Sequence, residues 1–126
     1  MKDVVLIPCW RRAEMLYHTL QHILHAEGAE NMHYIFRMDT GHSHELHEVV
    51  RDFPFSHEVA TTAGSSFRHT KQSYSVLSGY DLATHRTNGK VFLIEEDIFI
   101  ASDFFKYHDR VHAQHPELFC SIAVAN

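Results

Sequence analysis

The chain has little to cross-link it and little to draw it to a polyanion. Its two cysteines, Cys9 and Cys120, stand apart with no CxxC pattern, which suits reduced, mostly buried thiols better than a disulfide framework. Lysine and arginine number 11 against 16 acidic residues, a formal charge of -5, and they form no cluster. The electrostatic footprint of a nucleic-acid binder is therefore missing. An anion bound here needs positive charge from another source. No apolar run approaches the roughly 20 residues that span a bilayer, and "MKDVVLIP" leads straight into a strand pattern without a signal peptide. The expectation is a cytoplasmic protein with no membrane span. G-x-G-x-x-G, G-x-x-x-x-G-K-[ST] and G-x-S-x-G are all absent, so dinucleotide, P-loop and serine-hydrolase readings lack their motifs.

What is there reads as one globular domain over residues 1–126, 44% apolar and 21% charged, with no charge block or repeat. Residues 4–7 form an aliphatic run ended by Pro8, the pattern of a strand buried on both faces. From Ala13 to about Ala26, Leu16, Leu20, Ile23 and Leu24 share a helical face, with Gly28 as a stop. "HYIFRM" predicts a second strand, "SHELHEVVRD" a second helix and "HEVATT" a weak third strand. A loop at 64–66 and a helix over about 68–85 follow, then the Asn88-Gly89 turn and the strand "VFLI". Ser102 or Asp103 is placed to cap a helix carrying Phe104, Phe105, His108 and Val111, and "LFCSIAVA" reads as a last strand. Strands alternating with helices predict a mostly parallel sheet covered on both sides, with ligands beyond the carboxyl ends of the strands. That puts Pro8 to Arg11, Asp39 and the Glu95-Glu96-Asp97 run on one rim.

If the extended geometry continues past "VFLI", Glu95 and Asp97 share one side and Glu96 the other. Paired carboxylates beside a diphosphate make the oxygen-rich setting that Mg²⁺ or Mn²⁺ prefers; a solvated strand end followed by a turn accounts for them equally well. Asp39 also ends a strand, where a carboxylate accepts hydrogen bonds from a base or ribose, or else serves as a turn residue. Arg11 and Arg12 after the first strand, and Lys71 at a helix start, are candidate phosphate contacts, or surface charge. The 13 histidines include His18, His22 and His25 on one helix and His42, His44 and His47 in "HSHELH". Both sets are read as solvated faces rather than Zn²⁺ or Ni²⁺ sites, because nothing completes a closed ligand set.

Together, "VVLIPCWRRAEMLYHTLQHIL", "IFRMDTGHSHE" and "VFLIEEDIFIASDFFKYH" resemble the first strand and helix, the Asp-bearing second strand, and the acidic DXD-like metal motif of GT-A glycosyltransferases. The form is nearest the N-acetylglucosaminyltransferase I type, with family 2-like glycosyltransferases as broader relatives, and the likeness runs over residues 4–122. It implies a Rossmann-like GT-A three-layer sandwich with a mostly parallel sheet, binding a sugar nucleotide, UDP-sugar above all, with Mn²⁺ or Mg²⁺. By this resemblance Asp97 holds the metal and Glu95 and Glu96 contact nucleotide or sugar. Pro8 and Arg11 lie at the nucleotide, Asp39 at the uracil, and Lys71 nearby. Glu96 stands where these relatives carry Asp. The family continues well past the acidic segment to an acceptor site and a general base. The resemblance thus implies a nucleotide-sugar half truncated after the motif, its acceptor unknown, completed by a longer chain or by self-association as a homo-oligomer. A non-catalytic nucleotide- or metal-binding domain derived from such an enzyme is the alternative.

Overall fold

Val4, Val5, Leu6 and Ile7 are fully excluded from solvent, as an uninterrupted aliphatic strand covered on both faces must be. They belong to β1 (Val4–Cys9), the second-from-edge strand of the sheet seen in the computed structural model, which describes residues 2–39, 41–61 and 71–122, the side chains of 71–75 excepted. β1 is followed by α1 (Ala13–Leu24), β2 (His33–Met38), α2 (Glu45–Arg51), β3 (His57–Thr61), α3 (Lys71–Arg86), β4 (Val91–Leu93) and α4 (Phe104–Gln114). The four strands are all parallel, in the order β3-β2-β1-β4. This is the α/β architecture expected of a Rossmann-like glycosyltransferase fold.

Alternation along β1 divides the core. Val5, Ile7 and Cys9 join Tyr34, Phe36 and Met38 of β2 and Phe92 of β4 under Leu16, Leu20 and Ile23 of α1, Leu46 and Val50 of α2, and Phe105 of α4. Val4, Leu6 and Ile35 point the other way, against Ala83 of α3. The sheet is thus the middle of three layers. α3 comes down on β1 through Gly79, where an added Cβ would lie 2.9 Å from Leu6 Cδ1 and force that buried side chain to shift.

Pro8 does not end β1 as the sequence predicts. Val4 N–H donates to the Lys90 carbonyl and Leu6 C=O accepts from Ile94 N–H, so alternate residues of β1 turn towards β4. Residue 8 faces that way too, but the β1–β4 register stops at Leu6↔Leu93. Pro8 therefore lacks a donor where no partner strand remains, while β1 continues beside β2 to Cys9↔Met38.

Two other expectations fail. Asp103 occupies the cap position of α4 without a side-chain capping bond, and Ser102 instead offers its C=O to Glu27 N–H. Residues 118–122 form no strand: Phe119 is 99% exposed, and the Ser121 hydroxyl ties the segment to His108 and His112 of α4. A β-prone run becomes a strand only where an edge pairs with it. The expected loop at 64–66, the first turn at 68–70 of the expected third helix, and residues 123–125 lie outside the described residues. Cys9 is buried, but Cys120 is exposed, so only one thiol matches the expected burial.

Candidate functional site

The chain builds β1, β2 and β3 outward in one direction and then returns to lay β4 on the other side of β1. The strand order thus reverses between β1 and β4, although both strands lead to helices on the same face of the sheet, α1 and α4, and an open α/β sheet places ligands beyond the carboxyl ends of its strands. The β1–α1 loop (Trp10, Arg11, Arg12) and the acidic segment after β4 meet there.

The acids do not continue as an extended strand. β4 ends at Leu93, and Ile98 N–H donates to Glu95 C=O at 3.1 Å, closing a turn over 95–98. The expected alternation of Glu95 and Asp97 against Glu96 does not hold. Glu96 Oε2 accepts from Trp10 N–H at 3.0 Å, and Asp97 Oδ2 pairs with Arg12 Nη1 at 2.8 Å. Both turn towards the β1–α1 loop. Beneath them, the buried Thr19 hydroxyl of α1 donates to Glu96 C=O at 2.6 Å. Burial raises the Glu96 pKa, against the lowering pull of the Trp10 and Arg12 N–H groups and the Arg12 charge. Cys9 lies beneath, its thiol pushed up mainly by burial and further by the Glu96 charge, which makes it a poor nucleophile.

The turn after β2 joins the same rim. Arg11 Nε donates to Gly41 C=O at 2.9 Å and its guanidinium lies 5.0 Å from the Trp10 ring centroid, a cation–π arrangement. Ser43 N–H donates to Trp10 C=O at 2.8 Å. Gly41, at φ +81°, supplies the left-handed residue that lets the chain double back. Asp39, 7% exposed, offers its C=O to His42 N–H at 3.1 Å. Pro8, Arg11, Asp39, Glu95, Glu96 and Asp97 are thus brought to one end of the sheet. Lys71 opens α3, with its side chain outside the described residues.

His18, His22 and His25 are all exposed, as a solvated face requires, whereas in the second set only His44 is exposed and His42 and His47 are half-buried. Phe99 packs beside α1, stacked on His22 at 5.1 Å and edge-on to His18 at 6.4 Å, while His25 Nδ1 faces Gln21 C=O. Among the described residues no group of three or more His, Cys, Asp or Glu side chains could hold a metal ion. A protein-only metal cage does not fit. A hard cation shared with a diphosphate asks less, because it takes one or two carboxylates and completes its shell with phosphate oxygens and water. Asp97 keeps 35% of its side chain exposed while paired with Arg12.

Trp10 and Thr19 escape sequence reasoning for a physical reason: Trp10 acts through its backbone N–H and C=O, and Thr19 through a hydroxyl aimed at a backbone carbonyl. Neither function leaves a mark on residue type or spacing.

No protein-family model matches the chain, and no curated protein does. Among solved structures, the crystal structure of S. aureus TarS 1-349, a glycosyltransferase, is similar with a TM-score of 0.62 at 14% identity, over 92% of this chain and 33% of that one. The fold is glycosyltransferase-like. The chain spans about a third of that neighbour's length, and nothing in these comparisons singles out the N-acetylglucosaminyltransferase I type. Among the described residues no helix is long and apolar enough to cross a membrane.

Proposed function

We propose that this chain is the donor-binding part of a glycosyltransferase, holding a sugar nucleotide, UDP-sugar above all, across the rim where the β1–α1 loop meets the acidic turn. One observation carries the reading: at the reversal of strand order, Glu96 and Asp97 are bonded to Trp10 and Arg12 from 85 residues or more away in sequence, which ties the two rim loops together. A protein with a charge of -5 binds a diphosphate poorly unless a cation intervenes. Asp97 would hold Mn²⁺ or Mg²⁺, and when bound that cation supplies charge neutralisation for the departing diphosphate. Arg12, released from Asp97, and Arg11 would face the phosphates as guanidinium donors. Asp39 would accept from the base, with Pro8 forming the floor beside it and Lys71 at the phosphate side. Glu95 remains the acid for ribose or sugar contact, whereas Glu96 serves as the anchor of the β1–α1 loop. The acceptor, the general base and the N-acetylglucosaminyltransferase I likeness belong to this proposal as open choices.

Calorimetry with UDP, with and without Mn²⁺, tests it. Binding should need the metal and weaken by at least about tenfold, or 1.4 kcal/mol, in Asp97→Ala. Metal-independent binding, or binding unchanged by that substitution, sinks the reading. Release of free UDP from a UDP-sugar would separate transfer from the alternative of a non-catalytic binding domain.

A further inference from the structure

A second site lies beside the rim and uses different chemistry. His42 Nε2 and His47 Nε2 approach to 2.8 Å, with the two rings edge-on and their centroids 4.9 Å apart. His42 is fixed twice to one atom: its backbone N–H donates to Asp39 C=O at 3.1 Å, and its Nδ1 stands 3.0 Å from that same oxygen. A carbonyl only accepts, so Nδ1 of His42 carries the proton and its Nε2 presents a lone pair. His47, in the first turn of α2, aims its own Nε2 at that lone pair. Both side chains are half-buried and so reachable from solvent.

We propose that His42 and His47 form a two-histidine chelate for a divalent transition metal of the Ni²⁺ or Cu²⁺ kind, with water completing the shell. Ligating histidines typically donate their other ring nitrogen to a carbonyl or carboxylate, which sets tautomer and ring direction; Asp39 C=O already does this for His42. Two nitrogens at about 2.05 Å from a metal are roughly 2.9 Å apart in cis positions at 90° and roughly 3.3 Å apart at a tetrahedral angle. The observed 2.8 Å is an N–H···N hydrogen-bond distance with each Nε2 aimed at the other, so both rings must turn for their lone pairs to converge on one cation, and the two nitrogens are already close enough for cis ligation. In the metal-free pair the short contact requires a proton on His47 Nε2. Metal binding moves that proton to His47 Nδ1, so a neutral pair binds without net proton release. His44, whose ring centroid is 6.1 Å from that of His47, is not a ligand in this arrangement. The proposal does not depend on the sugar-nucleotide reading, which uses a hard cation on carboxylate oxygen.

Titration of the whole protein with Ni²⁺ alone, followed by calorimetry, tests the site, and Cu²⁺ electron paramagnetic resonance counts the bound nitrogens. The expected result is one site with two imidazole nitrogens. It should be weakened by at least about tenfold in His42→Ala and in His47→Ala, since loss of even an outer-shell partner costs that much. It should persist in the His18→Ala, His22→Ala double variant, which removes the competing pair on α1. Should an alanine variant fail to fold, His42→Gln and His47→Gln decide the matter with side chains of similar reach. No Ni²⁺ uptake, uptake unchanged in the His47 variants, or uptake lost only with His18 and His22 overturns the assignment.

Discussion

At the residue scale, two carboxylates on this molecule should respond to pH in opposite senses. Glu96 has a raised pKa, because burial outweighs the Trp10 and Arg12 N–H groups and the Arg12 charge. An acid raised in the native state contributes stability that is full below its unfolded value and lost as pH rises through the folded one. Glu96→Gln keeps an oxygen for Trp10 N–H and removes the titration. Its Tm should therefore gain on wild type as pH rises from about 4 to 7, in thermal melts across that range; a pH-independent difference would mean that Glu96 ionises without cost. Glu58 is lowered, first by hydrogen bonds from Arg86 and then by the bond from His33, with burial opposing. Arg86 Nε and Nη2 approach its two oxygens at 2.9 and 3.1 Å, and His33 Nε2 approaches at 2.7 Å. Its contribution is present above the unfolded value and lost as pH falls through the folded one. Glu58→Gln should accordingly destabilise at neutral pH and converge on wild type in acid melts below about pH 4. The expected loss is small, within the range of surface ion pairs.

At the scale of elements, α3 approaches β1 closely at Gly79. A side chain at position 79 meets Leu6, itself fully buried, so Gly79→Val overpacks the interface and puts a β-branched residue in a helix. A loss of about 2 kcal/mol is expected in urea denaturation; a variant as stable as wild type would show that α3 lifts off without penalty. The same level explains what was legible beforehand. β1 to β4 and α1 to α4 follow from local patterns: the run 4–7, the Leu16-Leu20-Ile23 stripe, and the Asn88-Gly89 turn before Val91. The rim residues followed as well, since parallel α/β order puts strand ends together. What escaped was non-local. Pro8 could continue β1 only because β4 stops short beside it. The run 118–122 could become a strand only if an edge paired with it. The 95–98 turn is fixed by bonds from Trp10, Arg12 and Thr19, far away in sequence, to the Glu96 and Asp97 carboxylates and the Glu96 carbonyl.

At the scale of the whole molecule, the rim and the fold are one cooperative object. Trp10, the single tryptophan, sits in the β1–α1 loop with its N–H on Glu96 and its C=O on Ser43, so its fluorescence reports the rim while far-UV circular dichroism reports the helices. The two urea transitions should coincide, as for a two-state domain. A Trp10 transition at lower urea would show that the loops open while the sheet survives. This matters for the proposed donor site, because loops that undock independently would lower apparent affinity by the fraction of time spent open.

The register Val4↔Val91 carries one further consequence. It joins the chain's beginning to a strand more than two-thirds of the way along, and Asp3 Oδ1 clasps Lys90 N–H across 87 residues. Closing so large a loop is entropically slow, and parallel pairing of this kind delays folding. β1, β2 and the helix between them have the shorter closure to make, so β4 is expected to dock late, with a φ-value near zero for Val91→Ala as the check. A ligand resting on the seam between β1 and β4 would then touch contacts missing from the folding transition state, and its stabilisation would appear as slower escape from the native state rather than faster arrival.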